Sequence, residues 1–247
     1  MQITIANIST KVQPTDFQSA VRAIARQVSE DFAPEWGINA TLMGMTTKLR
    51  SGRLAAVQGL RNALIYVGDS SEDPTTGVAG ALGYHSDNHR NVPYGFIYLD
   101  ICEQYGENWT CTLSHEVLEL LGDPTAAMTV AGPAPKPHAG FVHYDLEVCD
   151  PTQGDSYSID SVVVSNFVGK SYFNLVGGSG KTNFMDLQLD PFGVRPKGYF
   201  QYESATGSHQ VNGEKVTPGM LAAKTKMAEG RRNYRRIERL GPTQNIR

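Results

Sequence analysis

The sequence predicts an α+β fold in a single domain, and three observations support this class. First, strands and a helix are predicted at 2–8, 16–31, 40–45 and 63–67, so a mixed opening unit is expected. Second, a helix with two distinct faces is predicted at 109–121. Third, the sequence after that helix is rich in strand-forming residues. Separate helix-rich and strand-rich stretches are typical of α+β proteins.

The opening elements follow from the periodicity of their residues. Polar and apolar residues alternate from Gln2 to Ile8, as expected for a strand with one buried face. Thr15 and Gln18 have the spacing of a capping box, and apolar residues then recur at helical intervals. Because the residue before a proline avoids the helical conformation, we expect this helix to stop before Pro34.

The helix at 109–121 places apolar and polar residues on opposite sides at about 100° per residue. The apolar side contains Trp109, Leu113, Val117, Leu120 and Leu121. The polar side contains Thr112, His115, Glu116 and Glu119. Gly122 and Pro124 indicate where the helix ends.

The second half of the chain is divided by turn signals. The segment 131–140 is rich in proline and glycine, and we interpret it as a surface excursion within the domain rather than a linker. A strand is predicted at 141–149, with His143 and Glu147 on one face. A hairpin is predicted at 209–216, because Asn-Gly at 212–213 is a strong hairpin signal.

We divide the predicted domain into three parts. The core covers about 1–168, a β-rich extension covers 169–216, and a basic C-terminal helix and tail cover 217–247. The charge follows this division, since 1–223 carries 14 basic and 23 acidic residues, whereas 224–247 carries 8 basic and 2 acidic residues. We favour docking of the basic tail on the acidic body over a contact with nucleic acid, although an acidic partner is the alternative.

The composition limits which cellular locations are expected for this protein. The chain contains no apolar run near the roughly 20 residues that a membrane span needs. Its first residues lack the basic start and apolar core of a signal peptide, so we expect neither secretion nor membrane association. Only three cysteines occur, and an odd number argues against a disulfide framework.

The polar face of the predicted helix could carry metal chemistry. His115 and Glu119 are four residues apart, so their side chains lie one above the other and could bind one divalent ion, most simply zinc. Glu116 lies between them as a candidate general base. A catalytic zinc needs a third protein ligand, for which Glu147 and Asp150 are the leading candidates.

Several further residues are candidates for supporting roles. Asp123 and His143 are alternative third ligands, and Tyr157 or His143 could stabilise an oxyanion. His85 and His89 could lie near the site as supporting or substrate-binding groups.

The segment from His115 to Glu119 resembles the active-site helix of zincin metallopeptidases, with Glu119 in the position of the second histidine. The wider sequence is similar to a family of bacterial and phage proteins associated with metallopeptidases of this type. The similar segments are 31–37, 83–85, 114–124, 147–151 and 164–168. The resemblance implies a zincin-like fold, in which a twisted mixed sheet is backed by helices and the site helix lies below the edge strand. It implies no particular substrate.

The sequence also departs from the zincin pattern. Gly122 has the position of the glycine in the metzincin extension, but Thr125 occupies the place of the third ligand. A carboxylate at position 119 makes the site harder and more anionic, which could change the preferred metal. We therefore consider two functions. The first is a metal-dependent hydrolase acting on a peptide or protein, and the alternative is a non-catalytic structural or interaction module. The resemblance implies a cytoplasmic or virion-associated protein, for instance a phage particle component.

Two other sequence patterns are weaker predictors of a functional site. The glycine-rich segment 177–182 lacks the earlier glycine of a phosphate loop, since Leu175 occupies that position, and a flexible turn is favoured. Cys111 precedes His115 by one helical turn, but a small core residue is a better interpretation than a ligand.

Overall fold

The computed structural model describes residues 1–47, 63–72, 80–87 and 92–216. Helices and strands both contribute substantially, which confirms the predicted α+β class. His89 and the predicted C-terminal helix lie outside the described residues.

Five strands form the first sheet. They are β1 (Gln2–Asn7), β2 (Thr41–Thr46), β3 (Ala63–Gly68), β4 (Gly83–Asp87) and β5 (Pro93–Tyr98). Their order is β2-β1-β3-β5-β4, and neighbouring strands are parallel except for β4, which runs antiparallel to β5. The sheet is therefore mixed, and its antiparallel strand lies at one edge.

Four α-helices accompany the sheet. They are α1 (Pro14–Arg26), α2 (Ala33–Trp36), α3 (Leu99–Tyr105) and α4 (Trp109–Gly122). Helix α4 confirms the prediction at 109–121, and the side chain of Asn108 caps it by accepting a hydrogen bond of 3.0 Å from the Thr110 N–H. Within the described part of the chain, none of the helices has the length and apolar character needed to cross a membrane.

Six strands follow α4. They are β6 (Thr129–Pro133), β7 (Phe141–Asp145), β8 (Ser156–Ile159), β9 (Val162–Ser165), β10 (Tyr199–Ser204) and β11 (Gly207–Asn212). Four of them form an antiparallel sheet in the order β11-β10-β7-β6, and β8 and β9 form a hairpin. Helix α4 packs against β4 and β5 on one side and against β9 on another, so protein surrounds it.

The first helix differs from the prediction at Pro34. A π-helical turn, Gln27–Phe32, joins α1 to α2, and the helical path continues to Trp36. Proline is accommodated because it lies in the first turn of α2, where its missing N–H costs least. Trp36 also donates a hydrogen bond of 3.0 Å to the Val168 carbonyl, which fixes the extra turn against the later part of the chain.

The predicted strand at 141–149 is too long. Strand β7 ends at Asp145, and the chain then turns into a short 3-10 helix at Asp150–Thr152. His143 and Glu147 consequently do not share a strand face, since His143 is exposed and Glu147 is buried. This turn brings the segment 146–150 beneath helix α4.

The predicted hairpin at 209–216 is wrong, because the observed turn lies at a different position. The observed hairpin joins β10 to β11 between Ser204 and Gly207, six residues before Gly213. Gly213 instead donates a backbone hydrogen bond of 2.8 Å to Gly198. A Cβ atom at position 213 would lie 2.0 Å from the Arg195 carbonyl oxygen, so glycine serves a close backbone approach there.

A buried polar network fixes helix α4 against the π-helical turn that follows α1 and against β9. The Ser114 hydroxyl donates a hydrogen bond of 2.6 Å to Gln27 Oε1 and accepts one of 3.0 Å from the Ser165 N–H. The Gln27 amide donates to the Ser165 carbonyl at 2.8 Å. All three residues are almost completely buried, so the loss of one partner would leave polar groups without compensation.

We expect Ser114→Ala to lower the free energy of unfolding by about 1–3 kcal/mol, because it leaves the Gln27 and Ser165 groups unpaired in the interior. Urea unfolding followed by circular dichroism measures the change. Ser29→Ala is the matched control, since Ser29 is exposed and bonds only its own helix. Equal stability of the two variants would contradict the assigned importance of the network.

Candidate metal centre

The polar face of helix α4 is buried rather than solvated. Ser114, Glu116 and Glu119 expose 2% of their surface or less, and His115 exposes 7%. A polar stripe on a helix is usually a solvated face, but the packing of β4, β5 and β9 around α4 excludes that explanation here. These side chains must therefore find partners within the protein.

His115 lies between two carboxylates. Its Nε2 atom is 3.1 Å from Glu119 Oε1 on the next turn of α4 and 3.2 Å from Asp150 Oδ1 at the start of the 3-10 helix. The helix supplies the first contact through its i, i+4 spacing, and the turn after β7 supplies the second. One imidazole nitrogen and two carboxylate oxygens thus converge from different elements of the fold.

His85 approaches the same helix from the edge strand β4, and it is completely buried. Its Nδ1 atom lies 3.3 Å from Glu116 Oε2 and 3.8 Å from Glu119 Oε2. Its Nε2 atom lies 3.2 Å from the main-chain oxygen of Asp123 and 3.9 Å from Glu147 Oε2. Strand pairing at the sheet edge therefore brings a second imidazole to the acidic face of α4.

Glu119 is the residue that both histidines share. In addition to the two imidazoles, its Oε1 atom accepts a hydrogen bond of 3.3 Å from the Cys149 N–H. Among the residues that the structure describes, two groups of buried side chains could hold a metal ion, and each contains Glu119. One is His115, Glu119 and Cys149, and the other is His85, Glu119 and Glu147, with the donor atoms of each group within 4.8 Å of one another.

The electrostatics of the cluster reflect its burial. Burial alone would lower the pKa of His85, but the negative charges of Glu147 and Glu116 outweigh it and raise the pKa to about 9. Burial and the negative charge of Asp150 raise the pKa of Glu119 to about 8. The same competition raises the pKa of His115, since Glu119 and Asp150 outweigh its burial.

The pKa of Cys149 shifts in the direction expected for a buried thiol. Burial and the charge of Glu119 raise its pKa well above the ordinary value, so the thiol stays protonated near neutral pH. A bound metal ion would be needed to ionise it, as thiol ligands lose their proton on coordination.

A small cavity borders the cluster. Its volume is about 20 Å³, which is enough for roughly one water molecule. It is lined by His115 and Glu116 on α4, by Leu82 before β4, and by Gln153 and Tyr199 from the later strands and turns. A water molecule at this position would lie beside both the imidazole and the carboxylate.

The structure brings together most of the side chains that the sequence singled out. His115, Glu116, Glu119, Glu147 and Asp150 lie in the cluster. Asp123, predicted as an alternative ligand, contributes its main-chain oxygen to His85, while its carboxylate accepts hydrogen bonds from the N–H groups of Thr125 and Met128.

Two predicted catalytic residues are placed elsewhere. The Tyr157 hydroxyl donates a hydrogen bond of 2.6 Å to Asp31 and accepts one of 3.1 Å from Gln27. His143 is exposed on strand β7, opposite Glu203 of β10. Neither geometry directs the side chain at the buried cluster, so we assign no oxyanion role to either residue.

Two residues of the cluster are not predicted as metal ligands by the sequence. His85 was predicted only as a supporting group, and Cys149 was not predicted as a ligand. The alternation Glu147-Val-Cys149 is the signal that could have indicated Cys149, because it places both side chains on one side of an extended segment.

Comparisons of the chain with protein-family models, with curated proteins and with solved structures give no match. The functional argument therefore depends on the geometry and chemistry of the cluster itself.

We expect the metal-free protein to lose stability as the pH rises from about 6.5 to 9. His85 has an ordinary pKa of 6.5 and a folded-state pKa of about 9, so its contribution is complete below 6.5 and is lost as the pH passes through 9. Glu119, raised from 4.5 to about 8, acts in the same direction because only the folded state retains its proton above pH 4.5.

Thermal unfolding in the presence of a chelator tests this dependence. The midpoint should fall across the interval, and the slope should be smaller in His85→Ala. His138→Ala, at an exposed loop position, should keep the wild-type slope. A midpoint that is constant or rises between pH 6.5 and 9 would contradict the described electrostatics.

Proposed function

We propose that this chain is a metal-dependent hydrolase that acts on peptide bonds. His115, Glu119 and Asp150 would hold the catalytic ion, with Cys149 and Glu147 beside them. The observation that carries the proposal is the contact of His115 Nε2 with two carboxylate oxygens in a buried site, Glu119 Oε1 at 3.1 Å and Asp150 Oδ1 at 3.2 Å.

The side chains fit a divalent ion in number and in type. Imidazole nitrogen and carboxylate oxygen are both zinc ligands, and a catalytic zinc uses three protein ligands and keeps one position open. Zinc is the ion we propose first, and manganese is the main competitor because oxygen ligands outnumber nitrogen ligands. His115 Nε2 already contacts both carboxylates, so the three side chains start close to one another.

Glu116 is the proposed general base. A divalent ion, when bound, lowers the pKa of a coordinated water towards about 7. The Glu116 side chain borders the small cavity together with His115, so it is placed to accept a proton from a water there. The His85 imidazole, 3.3 Å from Glu116 Oε2, would orient the carboxylate and stabilise its charge.

The edge strand supports a peptide as the substrate class. Strand β4 lies at the end of the sheet order and carries His85 towards the cluster. Edge strands bind extended peptides by main-chain hydrogen bonds, with alternate side chains entering neighbouring pockets. A peptide aligned along β4 would pass close to Glu116, since Gly83 at the start of β4 already approaches the Glu116 side chain.

Metal content tests the binding site. We expect purified protein incubated with zinc and desalted to retain zinc, and His115→Ala to retain clearly less, because one imidazole ligand disappears. His138→Ala replaces an exposed histidine and should retain zinc at the wild-type level. Elemental analysis per mole of chain is the measurement. Equal, negligible zinc in wild type and His115→Ala would refute the proposed site.

Hydrolysis tests the role of Glu116. We expect Glu116→Gln to lower the rate of cleavage of an unfolded protein substrate by about 10²–10⁴-fold, because the amide cannot accept the proton. The variant should retain its metal, which separates loss of the base from loss of the ion. Glu103→Gln, on the exposed face of α3, is the control and should cleave at the wild-type rate.

The small cavity favours one alternative function. At about 20 Å³ the space beside His115 admits a water molecule but no substrate side chain. A non-catalytic structural or interaction module, in which the cluster binds a metal only to fix α4, would have this geometry. Wild type and Glu116→Gln would then bind metal equally and show the same background cleavage, which decides between the two functions.

A further inference from the structure

We propose that the cluster binds two divalent ions and that the Glu119 carboxylate bridges them. The first ion would lie on the His115 side, and the second would be held by His85, Glu119 and Glu147. This inference rests on the metal-dependent function proposed above and adds a second ion to it.

The two oxygens of Glu119 face different histidines. Oε1 is 3.1 Å from His115 Nε2, whereas Oε2 is 3.8 Å from His85 Nδ1. A carboxylate that chelates one ion directs both oxygens at that ion. A carboxylate whose oxygens face two separate imidazoles has the arrangement required to bridge two ions.

The grouping of the donors also favours two ions. Among the described residues, both groups of mutually close donor atoms contain Glu119, and neither group contains both histidines. Zinc bonds to nitrogen and oxygen are about 2.0–2.2 Å long, so the donors of one ion must lie close to one another. A single ion at either group would leave the histidine of the other group outside its coordination sphere.

The hydrogen bond of His85 supports a ligand role for its ring. Nδ1 lies 3.3 Å from Glu116 Oε2, and an ionised carboxylate can only accept a hydrogen bond. With the proton on Nδ1, the lone pair of the neutral ring is on Nε2, the nitrogen that lies 3.9 Å from Glu147 Oε2. Metal-binding histidines are commonly oriented in this way by a carbonyl or carboxylate.

The charge of the ionised cluster is compatible with two divalent ions. Five carboxylates are almost completely buried here: Glu116, Glu119, Asp123, Glu147 and Asp150. If all five are ionised and both imidazoles are neutral, one divalent ion leaves a charge of about −3 and two leave about −1. Buried charges of one sign are expensive unless they are compensated, so the second ion stabilises the ionised cluster.

Metal stoichiometry tests the inference. Isothermal titration calorimetry with zinc should give two ions per wild-type chain. Elemental analysis of the desalted protein should give the same number. His85→Ala and His115→Ala should each give one ion, and His138→Ala should give two. One ion per wild-type chain, unchanged in His85→Ala, would overturn the bridged pair.

A spectroscopic measurement on unaltered protein removes the dependence on variants that could fail to fold. Two manganese ions joined by a carboxylate, about 3.5–4 Å apart, should give an exchange-coupled paramagnetic resonance spectrum. Wild-type protein loaded with manganese should show that coupling, and an isolated six-line signal at full loading would overturn the inference.

The failure of the bridged pair is distinguishable from the failure of the hydrolase. One bound ion together with cleavage that Glu116→Gln abolishes would refute the second ion and support the hydrolase. Two coupled ions without cleavage would support the bridged pair and refute the hydrolase. A wild-type chain that binds no ion would overturn both.

Discussion

The burial of charged side chains on helix α4 is the constraint on which the rest of the structure depends. His115, Glu116 and Glu119 lie inside the protein, where an isolated charge is far less stable than in water. Each needs an opposite charge, a hydrogen bond or an ion close by. The edge strand supplies His85, and the turn after β7 supplies Asp150, so these elements are held in position by the requirements of the helix.

The same constraint gives the site its division of roles. Glu119 lies at the centre of the cluster, whereas Glu116 lies between His85 and the small cavity. A residue at the centre is suited to holding an ion, and a residue beside a cavity is suited to moving a proton. The hydrogen bonds between Ser114, Gln27 and Ser165 fix the helix against the π-helical turn after α1 and against β9.

The sequence could predict the elements whose residues repeat at a regular interval. Helix α4 was predictable because its apolar residues recur at 3.6-residue spacing and Gly122 follows the last of them. Asp150 was predicted as a candidate ligand at a strand end, but β7 ends at Asp145 and Asp150 begins the following 3-10 helix. The α+β class followed from these elements, while the zincin-like resemblance remains a prediction.

The remaining features depend on long-range contacts that local patterns do not contain. His85 reaches Glu116 only because β4 pairs antiparallel with β5 at the sheet edge, 31 positions before the carboxylate in the sequence. Pro34 lies within a helical path because a π turn precedes it, and Gly213 serves a close backbone contact instead of a hairpin turn. Tyr157 is a candidate catalytic residue in the sequence, but its hydroxyl donates a hydrogen bond to Asp31.

Anomalous diffraction from crystals grown with zinc, recorded above and below the zinc absorption edge, is the most direct test of the central claim. The account predicts a difference peak beside His115 Nε2, which already contacts Glu119 Oε1 and Asp150 Oδ1. A fully loaded crystal with zinc only at exposed histidines, and none at this position, would contradict it.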